Sequence, residues 1–221
     1  MTTNLYLVRH GQTIFNNERR VQGSADSGLT DKAVKDTVKL GQWFSKNNII
    51  FDAIFSSDLP RAIHSAKLIL HQQSNFKEKT LLDCSDLREL NYGHYEGWHV
   101  DSYAKTVFGQ PNYNAVISGL KMSLADVADT TFETDRRYGG LYAERSQDVT
   151  TRIDRALRGI GQEAIERSWG NTLIVIHGTS ILMWLESIGF NTHHQDLLHN
   201  LSVTKISFDG HSFDIQSFDR T

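Results

Sequence analysis

Four short clusters hold the residues best equipped for chemistry: Arg9-His10-Gly11, Ser56 to Arg61, Leu87-Arg88-Glu89 with Gly93 and Glu96-Gly97 after it, and His177-Gly178. Arginine presents a planar fork of N–H donors that matches phosphate oxygens two at a time, so Arg9 and Arg61 together suit a doubly charged anion. Neutral imidazole is a competent nucleophile near pH 7, and an adjacent carbonyl can fix its tautomer, so a histidine here can attack phosphorus without a metal ion. The departing alkoxide then needs a proton, for which Glu89 and Glu96 are the two carboxyl candidates. These are the parts of a phosphoryl-transfer site, provided the fold brings them together.

The hydropathy pattern supplies elements that would do so. Leu5 to Val8 is a short apolar run that stops abruptly at Arg9, as a buried strand entering a polar loop does. Phe51 to Phe55 is a second strand, and Thr172 to Ile176, ending at His177, is another. Pro60 opens a helix with Ala62, Ile63, Ala66, Ile69 and Leu70 on its buried face, and a serine or aspartate ahead of the proline is expected to start it. Further helices are predicted from an N-cap at Thr30 through Phe44, over Val149 to Ala164, and over Ile181 to Ile188. Val203–Phe208 and Phe213–Phe218 flank Asp209-Gly210 as a hairpin whose turn His211-Ser212 lengthens.

Strands alternating with helices predict a three-layer α/β fold, a mainly parallel central sheet with helices on both faces. Residues 92–143 break the rhythm with glycines, aromatics and weak periodicity, and read as a lid-like insertion in a single domain spanning 1–221. Open parallel sheets bind ligands outside the carboxyl ends of their strands. Polar residues leaving one strand mean little, but here Arg9-His10, Ser56 to Arg61, and His177 all leave strands at one expected sheet edge.

Composition narrows the classes of function. The 221 residues are 39% hydrophobic with two prolines, enough apolar surface for a folded core, and disordered or collagen-like chains are excluded. A formal charge of −3 provides no overall positive field for nucleic acid or anionic lipid, so a bound anion must be held by a local cluster. Cys84 is the single cysteine and cannot form an intramolecular disulfide; the start MTTNLYLVRH lacks the features of a signal peptide, and no apolar run approaches a membrane span. A cytoplasmic protein acting on a small phosphorylated metabolite, with neither nucleic acid nor membrane as partner, is the expectation.

The clusters also carry a family resemblance. Leu7-Val8-Arg9-His10-Gly11-Gln12-Thr13, with Asn16 after it, resembles the signature of the histidine phosphatase superfamily, also called phosphoglycerate mutase-like. Val21-Gln22-Gly23 through Leu29-Thr30, Ser56 to Ala66, the L-x-E-x-x-x-G-x-x-E-G run from Leu87 to Gly97, and Val175-Ile176-His177-Gly178 resemble its later blocks in the same order. The resemblance implies that His10 is the phosphorylated nucleophile and that Arg9, Arg61 and His177 clamp the phosphate, with Asn16 joining them. It further implies Glu89 as proton donor, Gln22 and Gly23 as contacts to substrate or its phosphate, and no cofactor or metal.

Departures from the family pattern bear on substrate. Ala33 replaces a common glycine, Arg145 stands where serine is usual, and Leu182 occupies a site often filled by arginine. Cofactor-dependent phosphoglycerate mutases share a lysine shortly after the glutamate block, where Val100 stands here, and a proline-rich paired-arginine segment that Arg136-Arg137 does not reproduce. Thr179 stands where mutases commonly carry asparagine. The expected activity is therefore a metal-independent phosphoric monoester hydrolase of the histidine acid type, with a phosphoglycerate mutase and a non-catalytic phosphate-binding protein as alternatives. The best local metal-ligand spacings are His94-x4-His99 and His193-His194-x4-His199, which with a single cysteine and no H-E-x-x-H motif read as surface histidines.

Overall fold

In the computed structural model, which describes residues 2–74, 81–192 and 198–220, side chains alternate between two cores along each central strand. On β1 (Thr3–Arg9), Leu5 and Leu7 face one core and Tyr6 and Val8 the other. On β2 (Ala53–Ser56), Ala53 and Phe55 oppose Ile54, and on β4 (Asn171–Ile176), Ile174 and Ile176 oppose Leu173 and Val175. Apolar residues on both faces mark strands covered on two sides. The first core is closed by α6 (Ser146–Glu166) and α7 (Gly178–Ser187) through Ile153, Leu157, Leu182 and Trp184. The second is closed by α2 (Asp31–Lys46) and α3 (Pro60–Leu70) through Phe44, Ala62, Ala66 and Ile69.

The sheet is mixed. β1 pairs in parallel with β4, β4 with β2, and β2 with the short β3 (Leu81–Asp83). β5 (Val203–Phe208) lies antiparallel to β1 and continues into β6 (Phe213–Arg220), giving the order β3-β2-β4-β1-β5-β6. The hairpin turn spans four residues, with Asp209 accepting the backbone N–H groups of His211 and Ser212 and Gly210 at φ 99°. The α/β class with helices around a central sheet is the one the sequence predicts. Among the described residues, no helix is long and apolar enough to cross a membrane.

Thr30 caps α2 as expected, its hydroxyl accepting the Ala33 N–H at 3.1 Å. The start of α3 differs. Leu59 holds the N-cap position without a side-chain bond, because Ser57 accepts the Leu59 N–H and Asp58 is drawn to Arg88. The short α1 (Ile14–Asn17) follows β1, and residues 92–143 contain two α-helices, α4 (Val100–Phe108) and α5 (Leu124–Arg137), with a 3-10 turn at Gly93–Tyr95 and a π-helical turn at Ala115–Gly119. The weak periodicity expected over 92–143 is not what these helices show: Val100, Tyr103, Ala104, Val107 and Phe108 follow helical spacing on the packed face of α4, and Leu124, Val127, Ala128 and Thr131 do so on α5, where Thr131 shares a hydrogen bond with the Tyr103 hydroxyl.

Candidate active site

The strand exits adjoin because their strands do. Arg9 is in register with Ile176, and Ser56 with Val175; the chain then leaves with His10 N–H on the Ile176 carbonyl and Ser57 N–H on the Val175 carbonyl. This brings the His10 and His177 rings to 5.1 Å between centroids. His10 Nδ1 lies 2.8 Å from the Gly11 carbonyl oxygen, which only accepts, so the proton sits on Nδ1 and the lone pair on Nε2. Arg61 Nε donates to that lone pair at 3.3 Å. Burial, and after it the cationic Arg61, holds both histidines well below their ordinary pKa, so both rings are neutral at pH 7.

Three nitrogens around this pair have no hydrogen-bond partner among the described residues although they are buried: Arg9 Nε and both ring nitrogens of His177. Buried polar atoms are nearly always satisfied, so a cluster of orphans marks where a polar ligand belongs. Arg9 is fixed by its bond to the Leu198 carbonyl, and burial lowers it to about 10, still cationic at neutral pH. Gly178 lets α7 start against that guanidinium, since a Cβ there would lie 3.1 Å from Arg9 Nε.

Arg61 is held from the opposite side by the loop over residues 22–27. Its guanidinium donates to the carbonyls of Gly23 (2.7 Å) and Ala25 (3.0 Å) and to Asp26 Oδ1 (2.8 Å). Gly23 is obligatory, as a Cβ would stand 1.9 Å from the Leu90 carbonyl oxygen. Glu96 receives the N–H groups of Gly23, Ser24, Ala25 and Tyr92, each at 2.9 Å, and so shapes this loop. Gln22 accepts from Thr13 and from Asn16 Nδ2, and Asn16 Oδ1 accepts from Asn200, whose amide also donates to the His10 carbonyl.

Glu89 is buried at the start of α7. Its carboxylate accepts from Leu90 N (3.0 Å), Thr179 N (3.0 Å) and Ser180 N (2.8 Å), beside His177 and at the positive end of the helix. The Tyr92 hydroxyl bonds Thr179, and burial, with Tyr113 and Glu89 nearby, raises it well above 10, so it stays a neutral phenol. Sequence reasoning missed Asn200, Asp26, Tyr92 and Ser65, whose hydroxyl accepts the Gly11 N–H. Asp26, Ser65 and Tyr92 each carried a signal, their place inside a block that resembles the family's, and Asn200 carried none.

Other singled-out residues lie elsewhere. Arg136 and Arg137 are exposed at the end of α5, Arg136 over the Phe132 ring at 5.1 Å. Val100 packs into the cluster of Val21, Tyr95 and Tyr103. Ala33 is buried near Gly11, Leu182 lies in the core, and Arg145 covers Phe132 at 4.3 Å. His94 packs against Tyr95 and Trp98, His99 caps α4, and His199 pairs with Asp219; His193 and His194 lie outside the described residues. Among the described residues, no three His, Cys, Asp or Glu side chains group as a metal site.

The chain is similar to known phosphatases and phosphoglycerate mutases. The chain is 28% identical over 207 residues to the broad-specificity phosphatase YOR283W of Saccharomyces cerevisiae, covering 92% of this chain and 79% of that protein. It is 38% identical over 98 residues to the probable phosphoglycerate mutase GpmB of Yersinia pestis, 44% of this chain and 43% of that one. The crystal structure of a phosphoglycerate mutase from Bacillus anthracis superposes with a TM-score of 0.86 at 32% identity, over 99% of this chain and 93% of the other. The family model for branch 1 of the histidine phosphatase superfamily matches residues 5–221, and with two neutral histidines and two arginines gathered at the carboxyl edge of its sheet, the chain belongs to that superfamily.

Proposed function

We propose that this protein hydrolyses small phosphomonoesters through a phosphorylated His10, with no metal ion taking part. The observation that carries the reading is a neutral His10, its proton locked on Nδ1, next to the unpartnered Arg9 Nε and His177 nitrogens. The phosphoryl oxygens accept from Arg9 Nε and from the one N–H of the neutral His177 ring, and Arg61 Nε turns from His10 Nε2 to the incoming anion. Nε2 then attacks phosphorus, the ester P–O bond breaks, and Glu89 delivers its proton to the leaving alkoxide. In the second half Glu89 takes a proton from water as the water oxygen attacks phosphorus, the P–N bond breaks, and inorganic phosphate leaves.

A mutase reading is supported by the Bacillus anthracis protein's name and likeness. It requires a second anion site to retain the dephosphorylated intermediate, and the apolar setting of Val100 with Arg136 and Arg137 exposed favours water as the acceptor. A single experiment separates the readings: purified protein, with excess chelator, is given 4-nitrophenyl phosphate or 3-phosphoglycerate while released phosphate and isomerised product are followed. Phosphate release without metal, an acid-labile phosphoprotein on quenching, and loss of both in His10→Ala are expected. Strict magnesium dependence would sink the mechanism, isomerisation outpacing phosphate release would establish the mutase, and anion binding without turnover of any ester would leave a binding protein.

A further inference from the structure

Arg152, on α6, makes no hydrogen bond to the phosphate-pocket side chains described above, yet three of its five hydrogen bonds go to the segment that carries Glu89 and the other two to Glu144, which braces that segment. Nε and Nη2 donate to the two carboxylate oxygens of Glu144 at 2.8 and 2.9 Å. The remaining donors reach three main-chain carbonyls, with Nη1 on Asp86 (2.9 Å) and Arg88 (2.5 Å) and Nη2 on Glu89 itself (2.9 Å). Glu144 completes the brace, its Oε2 accepting the Asn91 N–H and its own N–H donating to the Asn91 carbonyl, both at 3.0 Å. The Arg152 side chain is only 12% exposed. Backbone 86–91 is thus gripped from behind by the Arg152–Glu144 pair, while the Glu89 carboxylate is gripped in front by the N–H groups that open α7.

We infer that Arg152, oriented by Glu144, is a positioning residue that fixes Glu89 for proton transfer; this rests on Glu89 being the proton donor. A fastening of a surface turn needs one or two bonds, whereas this one includes the carbonyl of the proton donor itself. A displacement of about 1 Å in a group that must meet the leaving oxygen is enough to lower turnover by about a hundredfold. Lysine cannot substitute, because its ammonium has no planar fork to engage a carboxylate and three carbonyls together.

The test compares leaving groups. Arg152→Lys and Glu89→Gln are assayed on 4-nitrophenyl phosphate, whose phenolate leaves unaided, and on β-glycerol phosphate, whose alkoxide needs the proton. For Arg152→Lys, kcat on the alkyl ester is expected to fall about 10- to 100-fold with KM within about threefold, and kcat on the aryl ester to stay within about threefold. Equal losses on both esters, or no loss on either, would reduce Arg152 to a purely structural role and overturn the inference. Discrimination by Glu89→Gln alone overturns the inference and keeps the acid assignment, whereas its absence in Glu89→Gln removes both. Should Arg152→Lys fail to fold, Glu144→Gln, nearly the same shape with one acceptor oxygen kept, carries the same comparison and the same outcomes.

Discussion

The two histidines at the sheet edge are neutral for a reason that also makes them a liability in acid. Burial, reinforced by Arg61, depresses both below the ordinary value of 6.5, so the folded chain refuses protons that the unfolded chain accepts as pH falls past 6.5. Stability from these groups is therefore complete above pH 6.5 and is lost progressively below it. Replacing His177 by glutamine removes one such proton from the balance. The slope of unfolding free energy against pH between 6 and 5, measured by urea titration, should become shallower by up to about 1.4 kcal/mol per pH unit. An unchanged slope would mean that His177 carries its proton in the folded protein. Under the proposed mechanism catalysis would follow the same sign, since His10 keeps its Nε2 lone pair at mildly acidic pH, where an ordinary histidine would be half charged.

At the scale of elements, α6 carries two glycines whose surroundings oppose each other. Gly159 has nothing within 4 Å of where a Cβ would stand, so Gly159→Ala should gain the ordinary helix preference of about 0.5–1 kcal/mol. Gly161 packs on Phe208 of β5, where a Cβ would meet the buried ring at 2.4 Å. Overpacking of that kind costs about 1–3 kcal/mol and outweighs the propensity gain, so Gly161→Ala should lower the thermal midpoint while Gly159→Ala raises it. Opposite signs in one calorimetry series would confirm the helix-to-sheet contact, and two increases would refute it. The sequence reveals elements to the extent that burial shows as pattern. β1, β2 and β4 are legible because they are covered on both faces and read as unbroken apolar runs, and their exits expose Arg9, His10 and His177 directly. Three-residue β3 is too short to show a period, whereas α4 and α5 do carry helical spacing, at Val100, Tyr103, Ala104, Val107 and Phe108 and at Leu124, Val127, Ala128 and Thr131, between glycine- and aromatic-rich stretches that mask it. Asn200 and Arg152 are invisible for a different reason: their partners lie 190 and 63–66 residues away, a proximity that only the sheet order and the packing of α6 create.

The whole molecule carries −3, so whatever holds a phosphate must overcome a mildly unfavourable global field by local means. In the proposed pocket Arg9, Arg61 and the single N–H of neutral His177 supply that concentration of donors, while the 22–27 loop occupies the Arg61 fork through Asp26 and two carbonyls. An oxyanion entering the pocket binds the folded chain alone and must therefore stabilise it. At a tungstate or inorganic phosphate concentration of 100 times Kd the gain is about 2.7 kcal/mol, which for a chain of this size raises Tm by roughly 5–10 °C. Sodium chloride at equal ionic strength should produce a much smaller shift, because screening acts on exposed charges and hardly on buried ones. Arg61→Ala should abolish the oxyanion-specific part, whatever its own starting Tm, since the comparison is made within each variant. If the shift persisted in Arg61→Ala, or if chloride matched it, the anion would be binding elsewhere on the surface, and the convergence of the strand exits on a phosphate pocket would lose its thermodynamic support.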